Sequence, residues 1–69
     1  MNRVAVVSSN IAEVGFDSSS STLELMFNDG RVYQYFDVPE SVHQGLVNAN
    51  SIGQYFHSSI RGVFRYARV

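Results

Sequence analysis

The chain has 69 residues, 45% of them hydrophobic and 16% charged, with no cysteine and a formal net charge of -1. A fold of this length buries only about 60% of its unfolded surface, which leaves one compact core over residues 1–69, no second domain and little room for a deep catalytic cleft. The missing cysteine excludes disulfides, thiolate zinc sites and a cysteine nucleophile, and a reducing, cytoplasmic location is compatible with it.

The first apolar run, Val4-Ala5-Val6-Val7, falls far short of a signal-peptide core or of the roughly 20 residues that span a bilayer, so it reads as a strand or core segment and no membrane is expected. Ile11 to Asp17 reads as a strand, with Ile11, Glu13 and Gly15 on one face and Ala12, Val14 and Phe16 on the other. Four serines, residues 18–21, form a polar turn whose hydroxyls can bond back to nearby main chain. Thr22 to Phe27 alternates Leu23, Leu25 and Phe27 against Thr22, Glu24 and Met26, the period of a half-buried strand.

Asn28-Asp29-Gly30 closes a hairpin onto a return strand over residues 32–36, and the loop length sets the faces. A two-residue Asp29-Gly30 turn pairs Phe27 with Val32 and turns Tyr33 and Tyr35 outward. A three-residue loop with a glycine bulge pairs Phe27 with Arg31 and puts both tyrosines on the Leu23-Leu25-Phe27 face. The second fits the residues better, because Asn and Asp suit a type I turn and glycine suits the left-handed position after it.

Val38-Pro39 ends this strand and opens a helix, since proline disfavours helix before it and suits the first helical turn. Val38, Val42, Leu46 and Ala49 make one apolar stripe through about Asn48, and Asn50 reads as a left-handed stop. Ser51 with Gln54 reads as a capping box that starts a second helix, on which Ile52, Tyr55, Phe56, Ser59 and Ile60 keep helical spacing until Gly62. Residues 63–69 alternate as a last strand. The expected fold is α+β: a small antiparallel sheet, a three-stranded meander plus a C-terminal strand with an optional N-terminal addition, packed against two short helices.

All six acids lie in residues 1–40 against two arginines, a net of -4, whereas residues 41–69 carry Arg61, Arg65 and Arg68 with no acid. Every basic residue is arginine, whose planar fork matches phosphate and stacks on aromatic rings. The plain alternative is that these arginines pair with surface acids and contribute little. Arg61-Gly62-Val63-Phe64-Arg65-Tyr66 departs from an RNA recognition motif at Val63 and Phe64, yet it interleaves basic and aromatic residues as single-strand binders do. The same pattern also describes an amphipathic closing strand.

Catalytic signatures are weak. Glu40-x-x-His43 has the spacing of a di-iron ligand pair but stands alone where such sites need two, so no metal or other cofactor is expected. Ten serines make a chance combination with His and Asp unremarkable, and there is neither a Gly-x-Ser-x-Gly elbow nor a phosphate-binding glycine loop. No enzymatic activity is expected.

Ser8-Ser9-Asn10-Ile11, Val14-Gly15-Phe16-Asp17, Leu23-Glu24-Leu25-Met26-Phe27, Gly30, Tyr33-Gln34-Tyr35, Val38-Pro39, Leu46, Ala49, Ser51-x-Gly53, Tyr55-Phe56, Ile60-Arg61 and Phe64-x-Tyr66 carry a resemblance over nearly the whole chain. In their order and spacing the sequence resembles the KTSC domain, named for a C-terminal segment of some lysyl-tRNA synthetases and also met as small stand-alone bacterial and phage proteins. Phe16 and Phe64 stand where that family often has tyrosine, His43 where it often has an aromatic and His57 where it often has asparagine.

The resemblance implies an RNA-binding role, with tRNA as a candidate partner. Together with the arginine-aromatic C-terminus, the expected function is a small non-catalytic module that binds RNA or a nucleotide or other phosphate ligand, against which stands the net charge of -1, low for an RNA binder. The candidate binding residues are Arg61, Arg65 and Arg68, with Tyr33, Tyr35, Tyr55 and Tyr66 as stacking residues where they are exposed. Binding of this kind weakens steeply with salt. The competing expectation is a protein-interaction or self-associating module, including a phage-type inhibitor of a host protein, that uses edge strands or exposed aromatics.

Overall fold

The computed structural model describes residues 1–69. Its elements are β1 (Arg3–Ala5), β2 (Ile11–Asp17), β3 (Thr22–Phe27), β4 (Val32–Tyr35), α1 (Glu40–Val47), α2 (Ile52–Ser59) and β5 (Tyr66–Arg68). The five strands form one antiparallel sheet in the order β1-β2-β3-β4-β5, so the sheet is one strand wider than a meander plus a closing strand. The extra strand comes from the first apolar run, shifted to Arg3–Ala5.

Both helices cover one face of the sheet. Leu23 and Leu25 from β3, Val14 from β2 and Tyr35 from β4 meet Leu46 of α1, Phe56 of α2, and Val38 and Ile60 from the connecting segments in one buried cluster. The opposite face carries a polar row, because Arg3 pairs with Gly15, Gly15 with Glu24 and Glu24 with Gln34 across four strands. Arg3 bonds Glu13 at 2.8 Å and Glu24 at 2.6 Å, and the Gln34 amide donates to Glu24 at 2.8 Å. The Gln34 donation, with help from Arg3, holds the Glu24 carboxyl below its ordinary value despite burial.

The tight hairpin takes the three-residue form. The Phe27 N–H donates to Arg31 O at 2.9 Å, Gly30 sits at φ 92°, and Leu25 and Leu23 pair with Tyr33 and Tyr35. In β2 the alternation breaks: Ile11 pairs with Phe27 but Glu13 with Met26, so a bulge at Ala12 turns Ile11 into the core beside Val14 instead of leaving it with Glu13.

Two boundaries and one cap differ from the sequence pattern. α1 ends at Val47 with Asn48 as its cap at φ -99°, and Asn50 is not left-handed. At α2 the Ser51 Oγ accepts from the Gln54 N–H at 3.3 Å, whereas the return half of the capping box does not form. Beyond α2 the Val63 and Phe64 N–H groups both bond Ile60 O, at 3.0 and 3.3 Å. That turn consumes residues expected in the last strand and leaves β5 only Tyr66–Arg68.

Candidate ligand-binding groove

The inner face of β3, β4 and β5 is not wholly roofed by the helices. Where α2 ends, Phe27, Tyr33, Tyr35, Phe56, Tyr66 and Arg61 line a groove of about 570 Å³. Register explains the gathering. Tyr35 pairs with Tyr66 and Tyr33 with Arg68, so alternate residues of β4 and β5 point to the same side as Leu23 and Leu25.

The aromatic rings brace one another. Phe56 meets Phe27 and Tyr35 edge-on, at centroid separations of 5.5 and 5.8 Å, and Tyr66 leans on Tyr33 and Tyr35 at 5.8 and 5.7 Å. Each such pair contributes about 0.5–1.5 kcal/mol beyond its buried area. The rings differ in exposure: Tyr35 is 5% exposed and Tyr66 62%. The groove therefore has a fixed floor and an open wall.

Burial, and then the neighbouring Tyr33 and Tyr66, push the Tyr35 phenol up to about 12, with Arg61 pulling the other way. No hydrogen bond within the protein contributes to that shift; Tyr35 is almost wholly buried, yet its hydroxyl stays open to the groove and has no internal partner. Arg61 follows the last turn of α2, where its backbone N–H bonds Phe56 O at 2.9 Å. Its guanidinium joins none of the four ion pairs. At the rim, Arg31 is held by Asp29 at 2.7 Å.

The remaining candidates take separate places. Arg65 pairs with Asp37 at 2.7 Å, and its guanidinium carbon lies 5.7 Å from the Phe36 ring centroid, beside the groove. Arg68 is exposed and unpaired next to Tyr33, where its charge helps keep the Asp29 carboxyl low behind the stronger effect of Arg31. Tyr55 lies elsewhere, with its half-buried hydroxyl end packed against Gly45 between the helices. Thus Tyr33, Tyr35, Tyr66 and Arg61 come together, while Arg65 and Arg68 flank them.

Phe27, Phe56, Arg31 and Asn10 also line the groove but lie outside the arginine-tyrosine pattern. The three-residue hairpin was the available signal for two of them, since it pairs Phe27 with Arg31 at the groove end of the sheet. His43 stacks on Phe16 at 4.8 Å and its buried Nδ1 has no partner, away from the groove. No three His, Cys, Asp or Glu side chains gather where they could hold a metal ion. No helix is long and apolar enough to cross a membrane.

Comparison with known proteins places this arrangement. The family model described as KTSC domain matches residues 7–64. A lysine-tRNA ligase of Trichormus variabilis is 46% identical over 59 residues, which cover 86% of this chain and 10% of the ligase. An uncharacterised protein of Stutzerimonas stutzeri is 37% identical over 70 residues, covering 100% of this chain and 99% of that one. The crystal structure of a KTSC domain protein from Yersinia pestis superposes with a TM-score of 0.94 at 38% identity, over 99% of this chain and 96% of that one. The chain spans about one tenth of the ligases it matches.

Proposed function

The chain belongs to the KTSC domain family, and from that premise we propose that it is a small non-catalytic binding module that takes up RNA, or a smaller phosphate-bearing ligand, in the aromatic groove. The observation that carries this reading is the meeting of an exposed stacking ring, Tyr66, with an unbonded hydroxyl open to the groove, Tyr35, and an unpaired guanidinium, Arg61, in one groove of about 570 Å³. A volume of that size suits a mononucleotide-sized ligand. Aromatic rings take a base on its π-face irrespective of sequence, and arginine takes the phosphate. The match to part of several lysine-tRNA ligases supports RNA as the source of that ligand.

The reading is tested by fluorescence polarisation of labelled tRNA and of a labelled single-stranded RNA at low salt. Wild-type protein binds, and Arg61→Ala, which removes an exposed side chain without an ion pair, weakens binding about tenfold while circular dichroism stays unchanged. Equal binding by the variant, or none by the wild type, rejects it.

A further inference from the structure

Next to the groove lies a second, shallower depression of about 540 Å³, floored by Phe36 and Phe64 and flanked by Arg65. The two depressions share Gly62 and Tyr66, so the exposed Tyr66 side chain borders both. Each holds aromatic rings and one arginine of the same short segment, Arg61 on one side and Arg65 on the other. The Arg65-Asp37 pair does not lock the second arginine away, because its partners are 76% and 77% exposed and an exposed pair of that kind is weak. A phosphate can displace the carboxylate on the same fork.

A mononucleotide occupies one depression. Two successive nucleotides of a strand reach both, with a base on either side of Tyr66 and phosphates toward Arg61 and Arg65. A duplex cannot do this, since its base faces are stacked on one another. We infer that the ligand is a single-stranded RNA segment of at least two nucleotides that crosses Tyr66 from one depression to the other. This inference rests on the groove reading above and narrows it from any phosphate ligand to a strand.

The test is calorimetric titration at low salt of wild type, Arg61→Ala and Arg65→Ala with a nucleoside 5′-monophosphate, the 5′-phosphorylated dinucleotide and a hexanucleotide, in adenylate and uridylate series. The dinucleotide binds wild type about five- to a hundredfold more tightly than the monophosphate, the gain of one further stacked base. Arg65→Ala lowers that ratio, because it removes the second phosphate contact and leaves only the stacked base, while Arg61→Ala weakens every ligand. Equal affinity for mono- and dinucleotide, or an undiminished ratio in Arg65→Ala, overturns the two-depression strand and leaves a single-nucleotide groove. If no ligand of either series binds wild type, the groove reading falls and the strand with it.

Discussion

Tyr35 combines burial with an unbonded hydroxyl, and its protonation has a consequence for stability. Its phenol ionises near 10 when unfolded but is pushed up to about 12 in the fold, first by burial and then by Tyr33 and Tyr66. The native state therefore holds the proton more firmly. Its contribution is complete below pH 10 and is lost as the pH rises through 12. Absorbance titration at 295 nm shows a late phenol step near pH 12, and Tyr35→Phe abolishes it. A titration without that step, or one that keeps it in the variant, refutes the placement. The sequence makes Tyr33 and Tyr35 visible as a pair on one strand face, but not their difference: both line the groove, with Tyr35 buried and Tyr33 half-buried. It also leaves Tyr55 indistinguishable from Tyr66, because both follow an amphipathic pattern and only the approach of Gly45 shows which one the helices claim.

The hairpin between β3 and β4 decides which side chains reach the groove, and it depends on Gly30 at φ 92°. A residue with a Cβ loses roughly 1–2 kcal/mol in that region, and a β-branched one is worse placed. Gly30→Val lowers the melting temperature by about 5–15 °C, at roughly 4–8 °C per kcal/mol for a domain of this size. An unchanged melting temperature means that the loop tolerates another geometry. The strictly alternating β3 and the Asn-Asp-Gly turn make this hairpin legible, as Pro39 and Ser51 do the two helix starts. What was not legible are the places where local preference yields to packing. The bulge at Ala12 serves the burial of Ile11, and the turn after Ile60 shortens β5 to three residues because Val63 and Phe64 return their hydrogen bonds to Ile60.

Over the whole molecule only one ion pair, Asp37 with Arg65, joins the acidic first part of the chain to its arginine-bearing end, and the other three lie within residues 1–40. Asp29 takes Arg31, Asp37 takes Arg65, and Glu13 and Glu24 share Arg3, which leaves Arg61 and Arg68 unpaired. A steep loss of RNA affinity with salt therefore does not follow, although the arginine-rich end suggests it. With phosphates at Arg61 and Arg65 alone, log K falls against log salt with a slope of about -1.4, and Arg61→Ala halves it. A slope beyond about -3 means that many more cations contact the strand. The fold class and the family were legible because order and spacing survive across the chain. The groove was legible only in part, since Phe27 and Phe56 enter it from elements that the arginine-tyrosine pattern does not touch. The open wall of the groove comes from the edge strand β5, which reaches its partner β4 only after the chain has passed through both helices, with Tyr66 returning to Tyr35. Closing that long loop costs entropy that the local β2-β3 and β3-β4 hairpins avoid. The β4-β5 pairing therefore has a higher closure cost than those hairpins, and β5, a three-residue edge strand whose residues are all exposed, opens readily. Hydrogen exchange at the β4-β5 pairing is accordingly an opening event of its own, in which Tyr66 lifts from the sheet while the core stays closed, and a bound strand slows it.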